Sequence, residues 1–164
     1  MQIMDKRDKE TIKRLISEAF PKLLQDNAFD ITSKFTPNYN CIAWACKYSE
    51  RWIQPPYLGK PNLDCVVWWP PDVPEGVAPY CLKKVFEYHG YTECKSGEHE
   101  EGYRKVALYF KEQTNEWTHA ARELNNGYWT SKLGRGEDIQ HGTPEAIEND
   151  DYGKIYCFMK KKFE

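Results

Sequence analysis

The stretch Thr36-Pro37-Asn38-Tyr39-Asn40-Cys41-Ile42-Ala43-Trp44-Ala45 decides how this chain is read, because a proline-marked polar turn gives way there to an apolar helical run. Cys41 stands at the junction. A thiol at a helix start meets free backbone N–H groups and the positive end of the helix dipole, and both favour the thiolate. Cys41 is therefore the expected nucleophile. Asn38 or Asn40 caps the helix or lends a side-chain amide to an oxyanion, beside the backbone N–H of Cys41 itself. The spacing predicts a helix from about Cys41 to about Trp52, stopped by Gln54-Pro55-Pro56, with Cys41, Trp44, Ala45, Tyr48 and Trp52 on one face.

Upstream, Ile12, Leu15, Ile16, Ala19, Phe20, Leu23 and Leu24 recur at spacings of three and four between charges, which predicts an amphipathic helix from residue 5 to about 26. Downstream, residues 53–76 form a proline-rich loop with a short strand through Val66 and Val67, and a loop of this length often walls a binding site. A helix is expected over Val77–His89, closed by Gly90. Then the period changes to that of strands: 91–94, 104–110, and a hairpin of 117–124 and 128–133 around Asn125-Asn126-Gly127. Asp138 to about Asn149 reads as a last helix, with a start signal at Thr143-Pro144-Glu145, and Lys154–Met159 as a last strand. Helices first and an antiparallel sheet second make an α+β architecture, with a helix presenting Cys41 at the sheet edge.

The 164 residues suit one domain, an N-terminal helix and linker over 1–35 followed by a core over 36–158. A formal charge of −2 gives no basic footprint for nucleic acid. No apolar run is long enough to span a membrane, and the charged N-terminus lacks a signal-peptide core, so a cytoplasmic protein with free thiols is expected. Cys41, Cys46, Cys65, Cys81, Cys94 and Cys157 contain no Cys-x-x-Cys, and His89, His99, His119 and His141 are scattered singly; no metal and no other cofactor is expected. Six Trp and eleven Tyr hint at an aromatic-lined cleft, with Trp44, Trp68 and Trp69 as substrate-binding candidates.

A cysteine nucleophile needs a base within hydrogen-bond reach, and His119 in Thr118-His119-Ala120-Ala121-Arg122 is the candidate, sharing a strand face with Trp117, Ala121 and Glu123. His141 is the reserve, and His89 reads as a helix-end cap. The group that orients the imidazole depends on hairpin register. A two-residue turn puts Lys132 on the His119 face, where it would hold an anionic substrate group; a three-residue turn puts Ser131 there, where it accepts the imidazole N–H. Asp138 is the third option.

These blocks carry a resemblance. Pro-Asn-Tyr-Asn-Cys-Ile-Ala-Trp-Ala (37–45), Thr-His-Ala-Ala-Arg (118–122), Trp-Thr-Ser-Lys-Leu-Gly (129–134) and Glu-Asp-Ile-Gln-His (137–141) look like the signature blocks of a group of bacterial domains of unknown function. That group in turn resembles the papain-like superfamily, in particular NlpC-type peptidases and amidases. The resemblance implies a papain-like fold with Cys41 as nucleophile and His119 as base, and it leaves the third residue open. The expected activity is that of a cysteine hydrolase, as peptidase, amidase or deamidase, on a peptide or other amide-bearing substrate. Two alternatives are an acyl transferase and a non-enzymatic protein-interaction domain on the same scaffold.

Overall fold

A computed structural model describes residues 6–61, 64–133 and 136–163. Residue 5, where the first helix was expected to begin, and Gly134, the end of one signature block, lie outside the described residues. The elements in chain order are α1 (Lys6–Ala19), β1 (Asp30–Ile31), α2 (Cys41–Ala45), β2 (Trp52–Ile53), β3 (Val67–Trp68), α3 (Pro79–Tyr88), β4 (Thr92–Cys94), β5 (Tyr103–Lys111), β6 (Glu116–Glu123), β7 (Trp129–Lys132), β8 (Asp138–His141) and β9 (Lys154–Lys162). The class is α+β. Seven strands form one sheet in the order β1-β8-β7-β6-β5-β9-β4, and β2 and β3 make a separate two-stranded ribbon. Every pairing in the large sheet is antiparallel, whereas the ribbon is parallel. Among the described residues no helix is long and apolar enough to cross a membrane.

Alternation along the strands sends side chains to two apolar layers. Val106, Leu108, Ala120 and Met159 face a layer with Cys41, Ile42, Ala43, Leu82, Val85 and Phe86, supplied by α2 and α3. Ala107, Tyr109, Ala121, Trp129 and Ile139 face the other, where Ile16, Phe20 and Leu23 cover them. The sheet is thus the middle of three layers.

Three expectations change. The first helix ends at Ala19, because Pro21 cannot continue it, and Pro21–Gln25 is a 3-10 turn; Leu15 and Leu24, expected on the apolar face, are exposed. The second helix stops at Ala45, seven residues early. Lys47 takes a left-handed φ of 71°, and Lys47 and Tyr48 donate their N–H groups to the carbonyls of Trp44 and Ala43 at 3.0 and 2.8 Å, a Schellman stop formed without glycine. This frees Trp52 and Ile53 to pair with Val67 and Trp68. The helix expected from Asp138 is a strand, β8, held between β7 and β1. Pro144 forbids a helix through the residues before it, and only the start signal at 143–145 survives, as the 3-10 turn Pro144–Ile147.

Candidate functional site

α2 is too short to hold its own shape, since a single turn costs more to nucleate than its hydrogen bonds return. Asn40 fixes it from outside. Its Oδ1 accepts the N–H groups of Ala43 and Ile53 at 3.0 and 3.1 Å, and its Nδ2 donates to the Ile53 carbonyl at 2.9 Å. One buried amide thus caps the helix and locks it to β2. Asn40 is committed to this frame, while Asn38 is exposed, its backbone N–H donating to Thr36 Oγ1 at 3.3 Å. Asn40→Ala removes the cap and strands two polar groups of Ile53, so an unfolding free energy lower by about 2–4 kcal/mol is expected in urea titration.

The thiol of Cys41 sits in a seam of the sheet. β6 and β7 pair at Arg122↔Thr130 and Glu123↔Trp129, beside the turn, and α2 packs against both strands. Cys41 Sγ lies 3.9 Å from the Thr118 carbonyl oxygen, and the N–H groups of Ala120, Ile42 and Cys41 favour its anion. Thr118 C=O and Ala120 N–H point the same way from β6, toward the edge that β7 has left. The sulfur fills that edge. Burial pushes the thiol up to about 11, with those N–H groups and the Lys132 ammonium opposing. This reverses the expectation of a depressed pKa: a helix of five residues has little dipole, and desolvation wins.

His119 is buried completely on the α1 side of the sheet, stacked on Tyr152 with ring centroids 4.3 Å apart and lying 5.3 Å from the Tyr109 ring. A bulge changes its neighbours. Tyr109 pairs with His119 but Phe110 with Trp117, so Thr118 is the extra residue and Trp117 turns to the opposite layer, against expectation. Glu123↔Trp129 leaves three residues, 125–127, inside the Leu124–Tyr128 hydrogen bond, so the register is the one that places Ser131 with His119. His119 Nε2 and Ser131 Oγ are 3.0 Å apart, Ser131 Oγ and His141 Nε2 2.8 Å, and His141 Nδ1 and the Thr143 carbonyl oxygen 2.7 Å.

A carbonyl only accepts, which sets the direction of this chain. His141 Nδ1–H donates to Thr143, so its neutral Nε2 accepts from Ser131, whose oxygen accepts Nε2–H of His119. Both imidazoles are neutral. Burial lowers His119 well below its ordinary value, with the His141 charge adding, and lowers His141 to about 4. His119 Nδ1 is left with a lone pair, buried and without a hydrogen-bond partner among the described residues. Cys41 and His119 do not hydrogen-bond to each other in this state.

Lys132 and Asp138 lie on the Cys41 side, as register partners across β7 and β8. Lys132 Nζ donates to the Gly136 carbonyl at 2.6 Å and lies 5.4 Å from the centroid of the Tyr39 ring, and burial lowers it to about 8. Tyr39 O–H donates to Asp138 Oδ2 at 2.6 Å; burial raises Asp138, opposed by that bond and by the nearby Ser33 hydroxyl, whose oxygen accepts the Asp138 backbone N–H at 3.1 Å and donates to the Lys34 carbonyl at 3.1 Å. Asp138 is therefore apart from the imidazole chain, in which His141, the reserve residue, takes the position beyond Ser131. Strand alternation at Asp138, Ile139, Gln140 and His141 was the signal for it, outweighed at the sequence level by the charged surroundings.

The tryptophans divide. Trp44 stacks on Tyr39 at 5.2 Å, and its Nε1 donates to Thr130 Oγ1 at 2.9 Å, bracing α2 on β7. Trp69 is buried against Trp117. Trp68, half-buried, joins Tyr48, Tyr88 and His89 in an aromatic group with the Arg51 guanidinium over Tyr48 and Trp68. Among the described residues no group of three or more His, Cys, Asp or Glu is placed to hold a metal ion.

The chain belongs to the family described as Domain of unknown function (DUF7689), whose family model matches residues 30–160. No curated protein and no solved structure matches it. The matched stretch holds Cys41, His119, Ser131 and His141, while α1 precedes it.

Proposed function

We propose that this protein is a papain-like cysteine hydrolase that acts on an amide, with Cys41 as nucleophile and His119 as base. The observation that carries the reading is the unpartnered lone pair on His119 Nδ1, fixed by a one-way chain of donors through Ser131 to His141 and Thr143. An imidazole with one nitrogen bound and the other open presents a positioned acceptor for a proton in the transition state, although burial keeps it neutral at rest. Cys41 enters from the other face of the sheet, but its sulfur lies in the seam between β6 and β7, 3.9 Å from the carbonyl of the residue before His119, and its charge reaches Tyr152, the ring stacked on His119. As the sulfur attacks the substrate carbonyl, its proton passes to Nδ1 and then to the leaving nitrogen; Ser131 holds the ring and stabilises the imidazolium through the Nε2–H bond, as an orienting group does in a triad. An amine in place of water in the second step would make it an acyl transferase.

The reading assigns a protonated resting thiol, so the pair acts by general-base transfer and not as a preformed ion pair. Iodoacetamide labelling resolved by peptide mapping tests it. His119→Ala should slow Cys41 alkylation at pH 7 by about a hundredfold, within the range for a positioned base, and leave Cys94 and Cys157 unchanged. Equal Cys41 rates in the two proteins would remove His119 from the chemistry. The half-buried aromatic group around Trp68 then favours the second reading, an interaction domain that uses that surface.

A further inference from the structure

The unsatisfied oxygen of Asp138 is the strongest unexplained feature of the Cys41 side. Among the described residues its Oδ1 is buried with no hydrogen-bond partner, while Oδ2 holds the Tyr39 hydroxyl. A buried acceptor left open forfeits the hydrogen bonds it had in water, so it is a place where an N–H or O–H donor is strongly favoured. The carboxylate is tied to the nucleophile through two neighbours. Tyr39 stands two residues before Cys41, and Lys132 pairs with Asp138 across the strands while its charge reaches Cys41.

We infer that Asp138 Oδ1 accepts a hydrogen bond from the –NH2 of a primary carboxamide, and that the substrate of the Cys41–His119 site is such a carboxamide, hydrolysed with release of ammonia. This deepens the hydrolase reading and rests on it. Two properties of the cluster select the class. The Asp138 carboxylate and the Lys132 ammonium are opposite charges on one side of the sheet, so the group that joins them adds no charge of its own: an amide fits, a carboxylate or ammonium does not. The cluster is also closed, with Tyr39, Cys41, Lys132 and Asp138 at 7, 8, 0 and 2% exposure. A nitrogen that reaches Asp138 there carries hydrogens alone, since a peptide continuing from it would have to pass through this packing. In the reaction, Sγ bonds to the carboxamide carbon and the thiol proton moves to His119 Nδ1. The C–N bond then breaks as that proton passes to nitrogen, ammonia leaves, and water cleaves the thioester to a carboxylic acid and the free thiol.

Three alkylating probes that differ only in their head group test the inference: iodoacetamide, N,N-dimethyl-iodoacetamide and iodoacetate, each Cys41 rate divided by that of Cys157 in the same protein. Wild type should prefer iodoacetamide over the dimethyl probe by about tenfold or more, the worth of one hydrogen bond to a charged acceptor. In Asp138→Asn the Tyr39 hydroxyl claims the amide oxygen and turns the –NH2 to where the acceptor stood, so that preference should vanish. Equal normalised rates for iodoacetamide and the dimethyl probe in wild type overturn the inference without need of any variant. Preference for iodoacetate overturns it too, in favour of an anion held by Lys132. Cys41 alkylation that ignores His119 is a different failure, that of the hydrolase reading itself.

Discussion

Acidification from pH 7 to pH 4 should cost this protein about 3 kcal/mol of stability through His141 alone, converting its displacement from an ordinary 6.5 to about 4 at 1.36 kcal/mol per pH unit. The sign follows from the proton count. The folded form keeps His141 and His119 neutral because burial disfavours the imidazolium, whereas the unfolded chain takes up both protons below about pH 6.5. Stability is therefore fully present above 6.5 and is lost as pH falls toward the folded value. Urea midpoints followed by tryptophan fluorescence at half-unit steps would show a decline confined largely to pH 6.5–4. A midpoint that stays flat across this window would mean that the imidazoles are solvated and that the donor chain through Ser131 does not exist as described.

Ser131→Ala should be the most damaging single-atom deletion in the sheet. It strands His119 Nε2–H and His141 Nε2 in a fully buried site, at about 1–3 kcal/mol for each unsatisfied group. The same deletion releases the His119 tautomer. Without an acceptor at Nε2, the ring is free to carry its proton on Nδ1, and the lone pair proposed to take the Cys41 proton is lost. Cys41 alkylation at pH 7 should then fall toward the His119→Ala rate while the circular dichroism of the folded variant keeps its strand signature. An unchanged alkylation rate in a destabilised but folded protein would make the hydroxyl a structural bridge only.

The parts of this architecture that are local were legible in the sequence. Gly90, with φ at 92°, closes α3 as expected, because glycine takes that angle without strain, and the helix starts at Pro79, two residues after the expected Val77. The hairpin at Asn125-Asn126-Gly127 was legible in the same way, although its length, and with it the choice between Ser131 and Lys132, waited on the observed pairing. What misled was non-local. Asp138–His141 has the charge of a surface helix, and only the neighbours on either side, β1 from far upstream and β7, make it a central strand. Cys41 misled in the opposite sense: its position at a helix start is right, but the environment that sets its protonation is the seam between β6 and β7, which no local pattern encodes.

The place of β8 in the sheet also sets a timetable. Asp30 pairs with Gln140 and Ile31 with Ile139, so β1 has its partner strand only after more than a hundred further residues have been made. Until then Tyr39, Cys41 and Asn40 have been synthesised without Asp138, Ser131 or His141 to meet. Such long-range closure slows folding, because loop entropy is spent before the contacts that repay it exist. Cys41 and His119 therefore reach the arrangement described above only after β7 and β8 have been made and have closed onto the sheet.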